Sequence, residues 1–276
     1  MNGLRLLGYD LKYGIFRRWY VFFIAIVFAA IQSNTCFKLI QSLNEHGLMR
    51  GNGSLMDYYA YSLRGDIIYI PDPQNIFLLP LFWFTFQIGV SYAVAYYTEH
   101  DLRNNGRNVI LASKTRIQWW ISKVITCIVS VVIYFVFTLS MITIFAKING
   151  ASMSLEMSKD FSVSNYSATI FYLNPNEILY IVIVIPLITT IAICLFQVAC
   201  SLIFSPVLCF AVACGMYVLS SFYTSPWLVG NYTMWLRSSY YTEGGVSPES
   251  GIVMSVMLMV LAIAGGSYII KNKDVF

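Results

Sequence analysis

Apolar and polar positions alternate along this chain in long blocks. Six runs of predominantly apolar residues occupy about 19–40, 76–97, 121–146, 177–200, 204–224 and 251–270. A run of about 20 such residues, wound as a helix, covers the roughly 30 Å hydrocarbon core of a bilayer. The pattern therefore predicts six membrane-spanning helices. The first run is too long for a cleaved signal peptide, and no small-residue cleavage motif follows it, so it reads as a retained span. Ahead of it, residues 3–18 (GLRLLGYDLKYGIFRR) place Leu4, Leu7, Leu11 and Ile15 on one stripe and Arg5 and Lys12 on another face. That arrangement predicts a helix lying in the headgroup layer, weakened by Gly8 and Gly14.

A second amphipathic stretch separates the second and third runs. On a helix spanning 108–120, Val109, Ser113, Ile117 and Trp120 fall within about one quarter of the circumference. Arg107 and Lys114, seven apart, share a different face. The expectation is a short helix with a basic side, tied at both ends to membrane helices. Trp119 and Trp120 anchor it at headgroup level, or its apolar side docks a partner.

Composition agrees with a membrane protein. The 276 residues are 58% hydrophobic and 11% charged, with a mean hydropathy of +0.68; soluble domains carry about 25% charged residues. Six spans leave connections of 41–75, 147–176 and 225–250 as the longest, with little sequence for a separate domain. With the N-terminus inside, 11 of the 17 Lys and Arg residues fall on the inner side and nine of the 13 acids fall outside. Both termini are therefore predicted cytoplasmic. This inner bias accounts for the net charge of +4 without a nucleic-acid partner.

Catalytic and metal-binding patterns are missing from the sequence. There is no G-x-x-x-x-G-K-[ST], H-E-x-x-H or G-x-S-x-G. His46 and His100 fall on opposite sides of the predicted membrane and cannot share a metal. The six cysteines show no C-x-x-C spacing and read as small apolar packing residues. The most polar midspan residues are Gln32, Gln87 and Gln197. Proton-driven transport needs carboxylate or His relays within the membrane, and the spans contain almost no ionisable groups. Pro186 is a single break in the fourth span. Gly89 with Ala93, Ala211 with Gly215, and Gly265-Gly266 after Ala262 permit close helix contact.

Residues 96–123 (YYTEHDLRNNGRNVILASKTRIQWWISK) resemble the loop after the second span in permease subunits of bacterial type 2 ABC-type exporters. Such loops have an acid at the end of the span, a later Gly, a small residue near a basic one, and a Lys opening the third span. Here those are Glu99, Gly106, Ser113 with Arg116, and Lys123. The Pro usual before the basic residue is absent. The C-terminal KNKDVF and the segment PWLVGNYTMWLRSSYY, residues 226–241, are similar to their counterparts.

The resemblance implies an all-α polytopic membrane protein: six spans, an N-terminal elbow helix and a cytoplasmic coupling helix. The chain, one permease domain over 1–276, would pair with a second permease subunit in the bacterial cytoplasmic membrane. It would bind a cytoplasmic ATPase that carries ATP and Mg, and would itself bind no cofactor. Arg107, Lys114, Arg116, Ile117 and Trp120 would meet that ATPase, with Glu99 holding Arg103 or Arg116. Residues 225–242 would dip back toward the membrane, placing Trp235 and Arg237 at an outer gate. Cargo in the family ranges over peptides, drugs, lipids and polysaccharides. Two other classes compete: a non-transporting sensor or assembly protein using the same loop, and a lipid-modifying membrane enzyme. The enzyme reading lacks converging catalytic groups.

Overall fold

The computed structural model describes residues 3–72, 76–95, 115–166 and 173–272. Helix α1 (Gly3–Gly14) is followed by a 3-10 turn (Phe16–Val21) that leads into α2 (Phe22–Glu45). Then come α3 (Leu55–Leu63), α4 (Leu81–Ala95), α5 (Arg116–Ile148), α6 (Lys159–Asn165), α7 (Pro175–Cys200), α8 (Pro206–Phe222) and α9 (Pro248–Asn272). Among the described residues four helical segments are long and apolar enough to cross a membrane: Trp19–Glu45, α5, α7 and α9. Helices α4 and α8 are apolar but shorter, at 15 and 17 residues. Among the described residues no strand occurs, only isolated bridges.

Polarity is distributed in reverse of a soluble bundle. Val207, Leu208, Val212 and Leu219 on α8 and Val253, Val260 and Leu261 on α9 are exposed. Gln87, Ser91, Thr189, Thr190 and Gln197 are buried. Helices in hydrocarbon gain nothing from hiding leucine, so small and polar side chains line their contacts. Thr190 Oγ1 donates to Gln87 Oε1 (3.1 Å), and Gln197 Nε2 to the Ser91 carbonyl (3.1 Å), joining α7 to α4. Thr189 and Ser255 hydroxyls bond at 3.1 Å, joining α7 to α9. Two of the three polar midspan residues singled out in the sequence are thus interhelical ties. Gly89 admits the Tyr134 side chain of α5, which a Cβ there would strike.

Several boundaries differ from the sequence expectation. The second run begins its helix at Leu81 rather than at 76, because Pro80 fits only the entry to a helix and residues 76–80 are non-helical. The buried face of α1 is Leu6, Asp10 and Gly14 rather than the leucine stripe; Leu7 and Leu11 are half-buried beside it. In α7 a five-residue π turn (Tyr180–Val184) precedes Pro186, whose missing N–H interrupts the regular ladder.

The segments nearest the two termini lie at one end of the bundle, where α1 meets the start of α5 and α9 ends beside it. At the opposite end the three long connections pack into a cap, which the sequence reading did not anticipate. Leu55 N–H donates to the Ser152 carbonyl (2.8 Å). Trp235 Nε1 donates to the Ala60 carbonyl (2.8 Å), and its ring packs edge-on against Tyr166 and Tyr241. All nine residues of α3 are buried. Its entry is a capping box in which Ser54 Oγ accepts Asp57 N–H and Asp57 Oδ2 accepts Ser54 N–H. The Asp57 carboxylate also accepts the Ser158 N–H (2.9 Å) and hydroxyl, which locks the first connection to the second.

Candidate functional site

The expected coupling residues divide at Thr115. Glu99, Arg107 and Lys114 lie outside the described residues. Thr115 is extended (φ −146°, ψ 150°), and its hydroxyl accepts the Gln118 N–H at 3.2 Å. It is an N-cap, so a new helix starts at Arg116. The helix expected over 108–120 is therefore not continuous: Ile117 and Trp120 belong to the first turns of α5, the third apolar run.

That start is fastened on two sides. Trp120 is fully buried; its indole N–H donates to the Ile263 carbonyl (3.0 Å), and its ring rests on Gly266, where a Cβ would overlap it. This corrects the expectation that Trp120 enters a groove on a partner, since its apolar surface is spent on α9. Arg116 Nη1 donates to the Lys271 carbonyl (3.3 Å) in the last turn of α9. That is a favourable place for a cation, because helix C-terminal carbonyls lack internal donors and carry partial negative charge. Lys123 is buried and pairs with Asp10 of α1 at 2.9 Å, over the Trp119 ring at 5.2 Å from its centroid. Asp10 also accepts the Ser122 hydroxyl. Of the coupling residues in view, Ile117 alone stands out as apolar surface, 43% exposed.

At the cap end, Val229–Thr233 and Trp235–Arg237 form two 3-10 turns with every residue buried. Val229 and Met234 pack with Trp83, Ile193 and Tyr217, between α4, α7 and α8. Trp83 Nε1 donates to the Thr233 carbonyl (3.2 Å). The segment sits among helices.

Arg237 is not a gate residue open to cargo. Its guanidinium is buried and donates to the Ser220 and Ser221 carbonyls at the end of α8, to Asp66 O (3.2 Å), to Ile67 O (3.1 Å) and to Asn231 Oδ1 (2.9 Å). Burial pulls its pKa down to about 10, with Asp66 acting in the opposite sense. The fixed fork of five N–H donors suits a cluster of carbonyls that no single ammonium could span. Trp235 is likewise internal. Asn231, in a glycosylation-type N-Y-T triplet, is buried and donates to the Tyr223 carbonyl (3.0 Å).

The contacts of Trp120, Lys123 and Arg237 tie separate helices and connections together. Among the described residues no cluster of His, Cys, Asp and Glu has the geometry to hold a metal. Sequence reasoning missed Asp10: the lone acid of the basic elbow is visible in the sequence, but its partner lies 113 positions away. No protein-family model, characterised protein or solved structure matches this chain.

Proposed function

We propose that this chain is the membrane-spanning subunit of an ATP-driven exporter in a bacterial cytoplasmic membrane, with six spans and both termini cytoplasmic. In this reading α4 and α8 are the two shorter spans. ATP and Mg belong to a separate cytoplasmic ATPase, and a second permease subunit completes the path. The cargo class that suits an apolar bundle is an amphiphile: a peptide, drug or lipid.

One observation carries the reading. The basic segment that ends at Thr115 leads into a helix whose entry is bound to both the first and last helices, through Asp10–Lys123 and through Trp120–Gly266. A force applied by a partner to residues 107–117 reaches α1, α5 and α9 together. Residue 117 supplies apolar contact, and Arg107 and Lys114 supply charge for acids on the ATPase rim. Packed contacts at an interface centre carry most of the affinity, while rim charges mainly set encounter rate.

The test is co-purification of a cytoplasmic ATPase with this chain from native membranes, together with an export or resistance assay. Ile117→Asp abolishes capture without lowering the melting temperature, whereas Lys114→Ala weakens it less. Full capture by Ile117→Asp, with export intact, refutes the coupling role. Capture with no export of any amphiphile by the wild-type complex favours the sensor reading instead.

A further inference from the structure

A cavity of about 340 Å³ opens beside the cap, between α2, α3, the start of α4 and the segment before Arg237. Its size falls in the range of small-molecule pockets, about 300–1,000 Å³. We infer that it is a binding site for an amphiphile with an anionic head, the head held at Arg64 and the apolar part leaving over Leu81 and Phe82.

Chemistry differs from wall to wall. Arg64 closes α3; its guanidinium lies 4.2 Å from the centroid of Tyr61 and also bonds that side chain, which leaves further donors of its five for a ligand. Ser62 Oγ and Tyr166 OH, both lining the cavity, are buried and have no hydrogen-bond partner among the described residues. Ser62 is only 1% exposed. A buried hydroxyl left unbonded is unfavourable, so groups placed this way point to an absent partner. Gln32, from the middle of the first apolar run, adds a further polar lining group.

Charge selects the sign. Asp66 is also on the wall, but its carboxylate accepts the Ile67 N–H (2.9 Å). Arg237 stands behind it and donates to the Asp66 carbonyl. Of the two charged groups that line the cavity, Arg64 and Asp66, Arg64 is the one that can hold an anion. Leu81 and Phe82 at the rim are 66% and 46% exposed. A free anion has no use for them, and an apolar ligand has none for Arg64 and Ser62. One molecule that satisfies both carries a phosphate or similar anion on an apolar chain. This inference does not require transport or an ATPase.

Its test uses the full-length purified chain in detergent, with complexes counted by native mass spectrometry. Three probes are titrated separately: short-chain phosphatidylglycerol, the uncharged diacylglycerol of equal chain length, and inorganic phosphate. One phosphatidylglycerol is retained per chain, about tenfold or more tightly than either alternative, as loss of a charge-assisted hydrogen bond predicts. Arg64→Gln removes that preference and Arg64→Lys restores most of it. Phe82→Ser, at an exposed rim position, weakens phosphatidylglycerol and leaves phosphate unchanged. Equal retention of the two lipids overturns the inference, as does phosphate binding as tight as the lipid, or wild-type affinity in both Arg64→Gln and Phe82→Ser.

Discussion

Asp10 and Lys123 form a buried ion pair at 2.9 Å between a helix that lies before the first apolar run and the helix of the third. Breaking a buried pair strands the remaining charge, at a cost of about 3–5 kcal/mol, whereas replacing both members with apolar groups is often close to neutral. Asp10→Asn or Lys123→Met alone therefore lowers the melting temperature in detergent sharply. The double variant Asp10→Leu with Lys123→Met recovers most of the loss. If the double variant is as unstable as the worse single one, hydrogen bonding around the site matters more than charge.

Adjacent glycines on α9 make a controlled comparison. Gly266 has the Trp120 ring where its Cβ would be, and Gly265 has open space. Gly265→Ala leaves stability unchanged or raises it slightly, because alanine favours helix by about 1 kcal/mol over glycine. Gly266→Ala forces the indole away and costs about 1–3 kcal/mol. Trp120→Ala, which empties the same seat from the other side, costs about 3–5 kcal/mol. Thermal unfolding of the three variants checks the order.

Asp57 gives the cap a pH dependence. Burial holds its carboxyl above the ordinary value of 3.8, while hydrogen bonds from Ser158 and Ser54 pull the other way. The folded chain then binds more protons than the unfolded one between the two values, and stability falls as pH rises across that window. Below the window the penalty is absent, and above it the penalty is complete. Asp57→Asn lacks this behaviour and turns an amide N–H toward a backbone donor, costing about 1–3 kcal/mol. Wild type consequently gains on the variant as pH is lowered from 7. A gap that narrows on acidification would show that the bonded carboxylate, rather than its burial, dominates.

Topology is checked by labelling single cysteines with an impermeant thiol reagent in intact cells. In a background lacking the six native cysteines, Asp160→Cys in α6 is labelled from outside, and Asn108→Cys is labelled only after the cells are opened. The reverse pattern inverts the reading.

How much of this was legible in the sequence depended on the range of the interactions. Periodicity and hydropathy act over a few turns, so the long apolar helices and the close approach at Gly266 could be anticipated. Asp10 and Lys123 are 113 positions apart, and nothing local marks them as partners. The cap is built from three separated connections, whose only local sign is tyrosine and tryptophan in otherwise polar loops. Trp120 was placed on a partner-facing side because a helical wheel drawn through 108–120 ignores the N-cap at Thr115. Arg237 resembled a surface cation because its acceptors are main-chain carbonyls, to which a sequence gives no identity.

Those carbonyls also impose an order on biosynthesis. Asp66 and Ile67 are made some 170 residues before the arginine that satisfies them. At about 5–20 residues per second, the ribosome leaves them waiting roughly 10–30 s. During that interval the turn at 64–67 has no cation to gather it, so the cap cannot close until nearly the whole chain has been synthesised. A nascent chain stalled before residue 237 should thus keep its first cap connection open to protease, and extension past that point should protect it.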